Sequence, residues 1–268
     1  MPKITHNIHA IDGLNILFPG HRVVPYILEE GPHDLTLIDT CYIEELPKLV
    51  SYLNNNGYKM QDIRRIVLTH LHSDHAQAVN EIKKLTISST DRKSGSGSSN
   101  DDEGATTYAH WIDAAFLFHN PPYHGPPDIN IYRQLFQKFG VREEDVIKKF
   151  KKLDVDPIQV DKQVKDGDFI KSLKVIHTPG HTPGHISLIL EDQRLLFGAD
   201  VLWNSAQQGG LVIPPSYFTL DMVTATVSVM RVSQLKFDKL LLGHQDDPIL
   251  ENAQKKVQST TKNMRRGE

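Results

Sequence analysis

The residues most able to do chemistry lie in His70-Leu71-His72-Ser73-Asp74-His75, directly after the apolar run that ends at Thr69. Three imidazoles and a carboxylate within six residues serve no packing purpose, but they are the donors that zinc and related divalent cations take. In an extended or turning loop, His70 and His72 can point to one side while Asp74 and His75 reach a second point. One loop could then serve two neighbouring ions. A catalytic site wants about three protein ligands per ion with a position left for water, so more donors must come from elsewhere. His181 lies in Thr178-Pro179-Gly180-His181-Thr182-Pro183-Gly184-His185, whose paired Pro-Gly turns fix the backbone. Asp200 follows Leu195-Leu196-Phe197-Gly198-Ala199, and His244 follows Leu240-Leu241-Leu242-Gly243. Each comes just past an apolar run of strand character.

The elements that must position these residues can be traced along the chain. Ile4 to Ile11, Val23 to Leu28, Asp34 to Ile38 and Arg64 to Thr69 read as strands. Ile43 to Asn56 carries Leu46, Leu49, Val50 and Leu53 at helical spacing, with Pro47 in the first turn and Gly57 as the C-cap. A helix is expected from Ala76 to Leu85. Residues 88–104 are Ser-, Gly- and Asp-rich and read as a solvated flexible insertion without chemistry. Thr106 to His110 resumes as a strand. Helices follow between Trp111 and Lys152, interrupted by a Pro-rich turn that holds Tyr123 and His124, and this segment is read as a lid with those two residues facing substrate. Trp111, Phe116 and Phe118 fit helix packing instead.

In the second half Ile158 to Val164, Phe169-Ile170, Leu173 to His177, Ile186 to Leu190, Arg194 to Phe197 and Lys239 to Leu242 are expected strands. Leu220 to Gln234 is an expected helix with Val223, Val227 and Met230 on one face. A last helix is expected from Pro248 to Thr261, with Asp247 as N-cap. Trp203, Tyr217 and Phe218 fall in a stretch without periodicity after Asp200 and are assigned to a substrate pocket. Two strand-rich halves, each with helices outside, predict a four-layer αββα sandwich over 1–268 as one domain.

The chain has 268 residues, 39% of them hydrophobic, enough for a sizeable core. A formal charge of -3 leaves no basic excess to hold nucleic acid. Cys41 is the only cysteine, which excludes an intrachain disulfide and thiolate-built zinc clusters. No stretch approaches the roughly 20 apolar residues that cross a bilayer, and the first residues lack an apolar signal core, so a cytoplasmic protein with no membrane partner is expected. A monomer and a homodimer are both open.

The HLHSDH run, the TPGH segment, the Asp after FGA and the His after LLG, in that order, resemble the metallo-β-lactamase superfamily, and within it the glyoxalase II and acyl-homoserine lactone lactonase-like branch. The resemblance spans Ile4 to His244. It implies the αββα fold and a two-metal site, with His70, His72 and His181 on one ion, Asp74, His75 and His244 on the other, and Asp200 bridging. It places His185 behind the ligands and not among them. Two such cations, zinc by default with iron, manganese or cobalt compatible, lower the pKa of a shared water and polarise a carbonyl. Asp74 could orient that water.

The implied activity is hydrolysis of a small-molecule lactone or ester, because apolar and aromatic residues around Pro121-Pro122 suit an acyl chain. A glyoxalase II-like thioester hydrolase, a β-lactamase and a mononuclear iron sulfur dioxygenase share parts of the same ligand set. Against the thioester stands the lack of a C-terminal basic cluster for glutathione carboxylates. Against nucleic-acid processing stands the lack of a basic channel.

Overall fold

Leucine-, isoleucine- and valine-rich runs of about five residues are too short for core helices, and they pair into two large sheets. The structure, a computed structural model, describes residues 3–16, 22–87, 104–119, 155–205, 209–244 and 248–266, with Gln137, Arg142 and Asp145. Strands β1 (Lys3–Thr5) and β2 (Ile8–Ala10) begin the first sheet, while β3 (Leu14–Asn15) and β4 (Arg22–Val23) form a small ribbon beside it. The first sheet continues through β5 (Tyr26–Gly31), β6 (Asp34–Ile38), β7 (Ile63–Val67), β8 (Thr106–His110) and β9 (Lys162–Val164), in the order β1-β2-β5-β6-β7-β8-β9. Pairing is antiparallel as far as β6 and parallel from β6 to β9.

The second sheet starts with β10 (Phe169–Ile170), β11 (Leu173–His177), β12 (Ile186–Leu190) and β13 (Leu195–Ala199). After a ribbon of β14 (Trp203–Ser205) and β15 (Gly210–Val212), it ends with β16 (Lys239–Leu242) and β17 (Ile249–Glu251), in the order β10-β11-β12-β13-β16-β17. Only β13 and β16 are parallel neighbours there. Parallel strands bring their carboxyl ends to one edge. Ile38, Val67, His110, Ala199 and Leu242 therefore all deliver the chain to the same rim, the usual place for a site on such sheets.

Three apolar clusters account for the layering. Between the sheets, Leu28, Ile38 and Val67 meet Val175, Leu188 and Phe197. Helices α1 (Leu46–Asn55), α3 (Val79–Thr86) and α4 (Trp111–His119) cover the outer face of the first sheet through Leu49, Leu53, Ile82 and Leu117, with the one-turn α2 (Ser73–Ala76) at the rim. Helices α5 (Met222–Val232) and α6 (Ala253–Arg266) cover the second sheet through Val229, Val232 and Val257. The result is the expected αββα sandwich. Cys41 is buried in the cluster on the outer face of the first sheet, and burial pushes its thiol up to about 12, which keeps it unreactive. Among the described residues no helix is long and apolar enough to cross a membrane.

Most of the strands lie where the sequence placed them, and the exceptions have physical reasons. Residues 248–251 are not the start of a helix: Ile249 and Leu250 pair with Leu241 and Leu240 and extend the sheet edge, so the helix begins at Ala253. Asp247 lies outside the described residues. The strand expected from Ile158 is confined to Lys162–Val164.

Helix α5 starts at Met222 because the Asp221 carboxylate accepts hydrogen bonds from the Val223 and Thr224 amides. Its Val223 and Val227 are solvent-facing, at 76% and 60% exposure; the packed side is Ala225, Ser228, Val229 and Val232. Trp111 and Phe118 are likewise more than half exposed on α4, whose buried side is Asp113, Ala114 and Leu117. In both helices the apolar residues are numerous enough for either side to pass as the inner one.

This assignment of faces predicts a contrast. Val229→Ala should cost about 2 kcal/mol by removing two buried carbons, while Val223→Ser and Val227→Ser should each stay within about 0.5 kcal/mol. Urea unfolding of the three variants reads the difference, and equal costs would mean that the helix is packed through its other face.

Candidate metal centre

Each predicted donor sits in the turn after a strand at the common rim. His70 and His72 follow β7, Asp74 and His75 occupy α2, His181 follows β11, Asp200 follows β13 and His244 follows β16. The two sheets are locked together here, since the Ile186 amide donates to Thr69 O at 2.8 Å and the Val24 amide to Gly243 O at 2.8 Å. Donor atoms of His70, His72 and His181 lie within 4.8 Å of one another, as do those of Asp74, His75 and His244, and those of His70, His75 and Asp200.

The imidazoles are oriented by what their Nδ1 atoms do. Thr69 Oγ1 donates to Asp39 Oδ2 at 2.7 Å, so it can only accept from His70 Nδ1–H at 3.0 Å. Thr219 Oγ1 donates to Pro214 O and in the same way faces His181 Nδ1 at 3.4 Å. His75 Nδ1 is 2.9 Å from Asp39 Oδ2, and His244 Nδ1 is 2.8 Å from Arg22 O. With the proton held on Nδ1, the Nε2 lone pair of each ring is turned inward, which is how metal-binding histidines are prepared.

His185 differs. Its Nδ1 lies 2.8 Å from Thr178 Oγ1, but its Nε2 accepts the Asp200 amide at 3.2 Å. It therefore fixes the backbone of Asp200 and has no lone pair left for a cation.

The charges show what the cavity lacks. Burial and the neighbouring rings hold His70 and His181 well below the ordinary histidine value, so both are neutral. Burial opposes a charge on Asp200, yet His244, His75 and His181 hold its carboxyl well below the usual range. Burial also opposes protonation of His75, but Asp39, Asp74 and Asp200 push it up to about 10, and His244 is raised by Asp200 in the same way. The carboxylates thus call for positive charge at these Nε2 atoms, which a cation would supply in place of protons. The Nε2 atoms of His70 and His181 and Oδ1 of Asp200 are buried with no hydrogen-bond partner among the described residues. Orphaned donor atoms of the right chemistry, converging on one space, fit a pair of divalent ions.

Two acidic residues not singled out in the sequence complete the frame. Asp39 accepts from the Thr69 amide at 2.8 Å besides its bonds to Thr69 Oγ1 and His75, and it holds a left-handed backbone at φ 61°. Such strain costs about 1–3 kcal/mol and persists where the surroundings fix it. Its signal was available, since it follows the apolar β6 just as Asp200 follows β13. Asp113, in the first turn of α4, is fully buried and accepts from Leu71, Thr182 and Gly184. Burial pushes its carboxyl up to about 7 against these three donors. No spacing rule in the sequence pointed to it. Residue 243 must be glycine, because a Cβ there would lie 2.4 Å from Asp200 Oδ1 and 2.9 Å from His75 Cε1.

Of the residues assigned to the substrate pocket, Trp203 borders the centre. Its ring is 5.4 Å from that of His244 and 5.6 Å from Phe218, and its Nε1 is buried without a hydrogen-bond partner among the described residues. Tyr217 stacks edge-on with Phe218 at 4.7 Å and is 39% exposed, further out on the same wall. Tyr123 and His124 lie outside the described residues.

The model of the metallo-β-lactamase superfamily matches residues 19–244, which contain every donor described above. The chain belongs to this superfamily. A probable metallo-hydrolase of Bacillus subtilis, YflN, is 27% identical over 231 residues, covering 81% of this chain and 77% of that protein. A hydroxyacylglutathione hydrolase of Rhodopseudomonas palustris is 25% identical over 192 residues, and the match takes in 68% of this chain but only 52% of the relative. Among solved structures, the metallo-β-lactamase family protein TTHA1429 of Thermus thermophilus superimposes with a TM-score of 0.67 at 21% identity, over 97% of this chain and 79% of that one, which shows the shared fold. The superfamily characteristically carries a binuclear metal site.

Asp200 is the test of that arrangement, because its carboxylate lies between the two groups of rings, 3.3 Å from His181 Nε2 and 3.1 Å from His244 Nε2. Asp200→Ala should lower the metal content of zinc-loaded protein from two ions per chain to one or none by elemental analysis, whereas Trp203→Phe should leave it at two. Two tightly held ions in Asp200→Ala would remove Asp200 from the centre.

Proposed function

We propose that the protein hydrolyses the carbonyl of a lactone or ester with two bound divalent cations, acyl-homoserine lactones being the first substrate class to consider. The observation that carries this is the pair of three-donor groups meeting at a buried Asp200 with an unpartnered oxygen. His70, His72 and His181 would hold one ion, Asp74, His75 and His244 the other, and Asp200 would bridge. Zinc suits these donors; iron, manganese and cobalt are compatible. When bound, the cations lower the pKa of a shared water and polarise the substrate carbonyl.

The chain's own groups do the rest. Asp74 is the least buried of the carboxylate donors, with Oδ2 3.4 Å from His244 Nε2, and it can accept a proton from the attacking water and fix its direction. The buried rings of His70, His75 and His181 keep bulk water out, which strengthens every electrostatic interaction inside. Trp203 Nε1–H, buried and unpartnered beside His244, is placed to donate to an oxygen of the substrate. Phe218 and Tyr217 continue that wall with apolar surface suited to the acyl part.

A thioester of the hydroxyacylglutathione type is the second reading, supported by the relative of that name. A panel of homoserine lactones, aryl esters, S-lactoylglutathione and a β-lactam, run with an oxygen-uptake assay on a persulfide, separates the readings. Lactone or ester turnover should exceed the others in kcat/KM by at least about tenfold, about 1.4 kcal/mol in barrier. Chelation should abolish it and zinc restore it. Faster thioester cleavage would install the second reading, and oxygen uptake with one iron per chain would replace hydrolysis altogether. Trp203→Phe should raise KM with little change in metal content, the signature of a lost substrate contact.

A further inference from the structure

The turn that carries His70 and His72 and the turn that carries His181 come from different sheets, yet their rings must converge to within 4.8 Å. The His70 and His181 rings stand edge to face with centroids 4.8 Å apart. Between the two turns stands the Asp113 carboxylate. Its Oδ2 accepts the Leu71 amide at 3.1 Å, on the residue between His70 and His72, and the Thr182 hydroxyl at 2.7 Å, on the residue after His181. Its Oδ1 accepts the Gly184 amide at 2.6 Å. A Cβ on residue 184 would stand 2.4 Å from Oδ1, so glycine there is what lets the carboxylate in. Among the described residues Asp113 accepts from Leu71, Thr182 and Gly184, whereas His75 and His244 are anchored separately by Asp39 and Arg22 O.

We propose that Asp113 is a positioning residue that ties the two turns together and so sets the cation affinity of the His70, His72 and His181 group alone. A carboxylate shared by three donors from two loops fixes their spacing as a single peptide-to-peptide bond cannot, because moving either loop breaks charge-assisted hydrogen bonds in a buried site. Residues that orient the ligands of a metal typically change its affinity 10- to 100-fold when altered. The inference rests on the ligand assignment proposed above, and it adds that α4, an element with no ligand of its own, governs one ion and not the other.

The experiment isolates each group in the full-length chain. His244→Ala should leave one ion on His70, His72 and His181, and His72→Ala should leave one on Asp74, His75 and His244; each is titrated with Zn2+ against a colorimetric chelator. Adding Asp113→Asn should weaken Zn2+ binding about 10- to 100-fold in the first protein and by less than about threefold in the second. Thr182→Val, which removes one of the three donors and keeps the side-chain shape, should show the same selectivity at smaller size and serves if Asp113→Asn does not fold. Thermal melting of the metal-free proteins is followed in parallel, since a merely structural role would lower the melting temperature without selecting between ions. If both proteins bind one ion and Asp113→Asn and Thr182→Val weaken neither, or weaken both alike, the clamp is wrong. If the parent variants bind no ion or still bind two, the ligand assignment is what has failed.

Discussion

Keeping several imidazole lone pairs pointed into one dry space is the demand on which the rest of this structure depends. A buried nitrogen or oxygen without a partner costs about 1–3 kcal/mol, and His70 Nε2, His181 Nε2 and Asp200 Oδ1 are all in that condition. That is a large share of the 5–15 kcal/mol by which a domain is usually stable. The rings would escape the cost by rotating if they could. They are prevented because Nδ1 of His75, His181 and His244 is already committed to a carboxylate, a hydroxyl or a carbonyl on another segment, and Nδ1 of His70 to the hydroxyl of the neighbouring Thr69, itself held by Asp39. The orphaned atoms are therefore a property of the fold, and a cation is the partner that completes them.

The sheets are arranged to make those commitments available. Parallel pairing from β6 through β8 puts Asp39, His70 and the start of α4 side by side, and parallel pairing of β13 with β16 does the same for Asp200 and His244. The Asp39 carboxylate then reaches both the Thr69 next to His70 and the His75 ring. Close approach has a steric side as well, and residues 184 and 243 are glycine where a side chain would displace Asp113 or Asp200. The left-handed backbone of Asp39 and Ala199, at φ 61° and 47°, marks the two strand ends that turn most sharply toward the centre.

The candidate donors that the fold brings together were legible in the sequence because their information is local: residue type, and a position in the segment after an apolar strand. His70, His72, Asp74, His75, His181, Asp200 and His244 all answer to that description, and so does Asp39, which the same rule would have found. The choice between His181 and His185 was not local. It depends on the Asp200 amide occupying His185 Nε2, a contact between residues 15 apart that flank the ends of two neighbouring strands. Asp113 was illegible for a similar reason, since an acidic residue in the first turn of a helix is ordinary on dipole grounds, and only the tertiary structure brings Leu71, Thr182 and Gly184 to it. The outward faces of α4 and α5 and the added strand β17 show the complementary limit: apolar content signals burial but not which neighbour provides it.

The wall and the cradle are mechanically joined, and this bears on where selectivity can arise. The Leu220 amide donates to His181 O at 3.2 Å, the Asp221 amide to Gly180 O at 2.9 Å, and Thr219 faces His181 Nδ1. A Cβ on Gly180 would meet the Ala225 amide nitrogen at 2.2 Å, so the His181 turn rests directly on the backbone of α5. The segment that carries Tyr217 and Phe218 is thus the same segment that seats a ligand. Substitutions that reshape this wall at residues 219–221 should disturb His181 as well, while those at Trp203, in the self-paired β14–β15 ribbon, meet the centre through the edge of the His244 ring. Under the proposed function, Trp203 would therefore be the wall position whose change leaves the hydrogen bonds of the His181 turn intact, and the place where substrate preference could vary most freely.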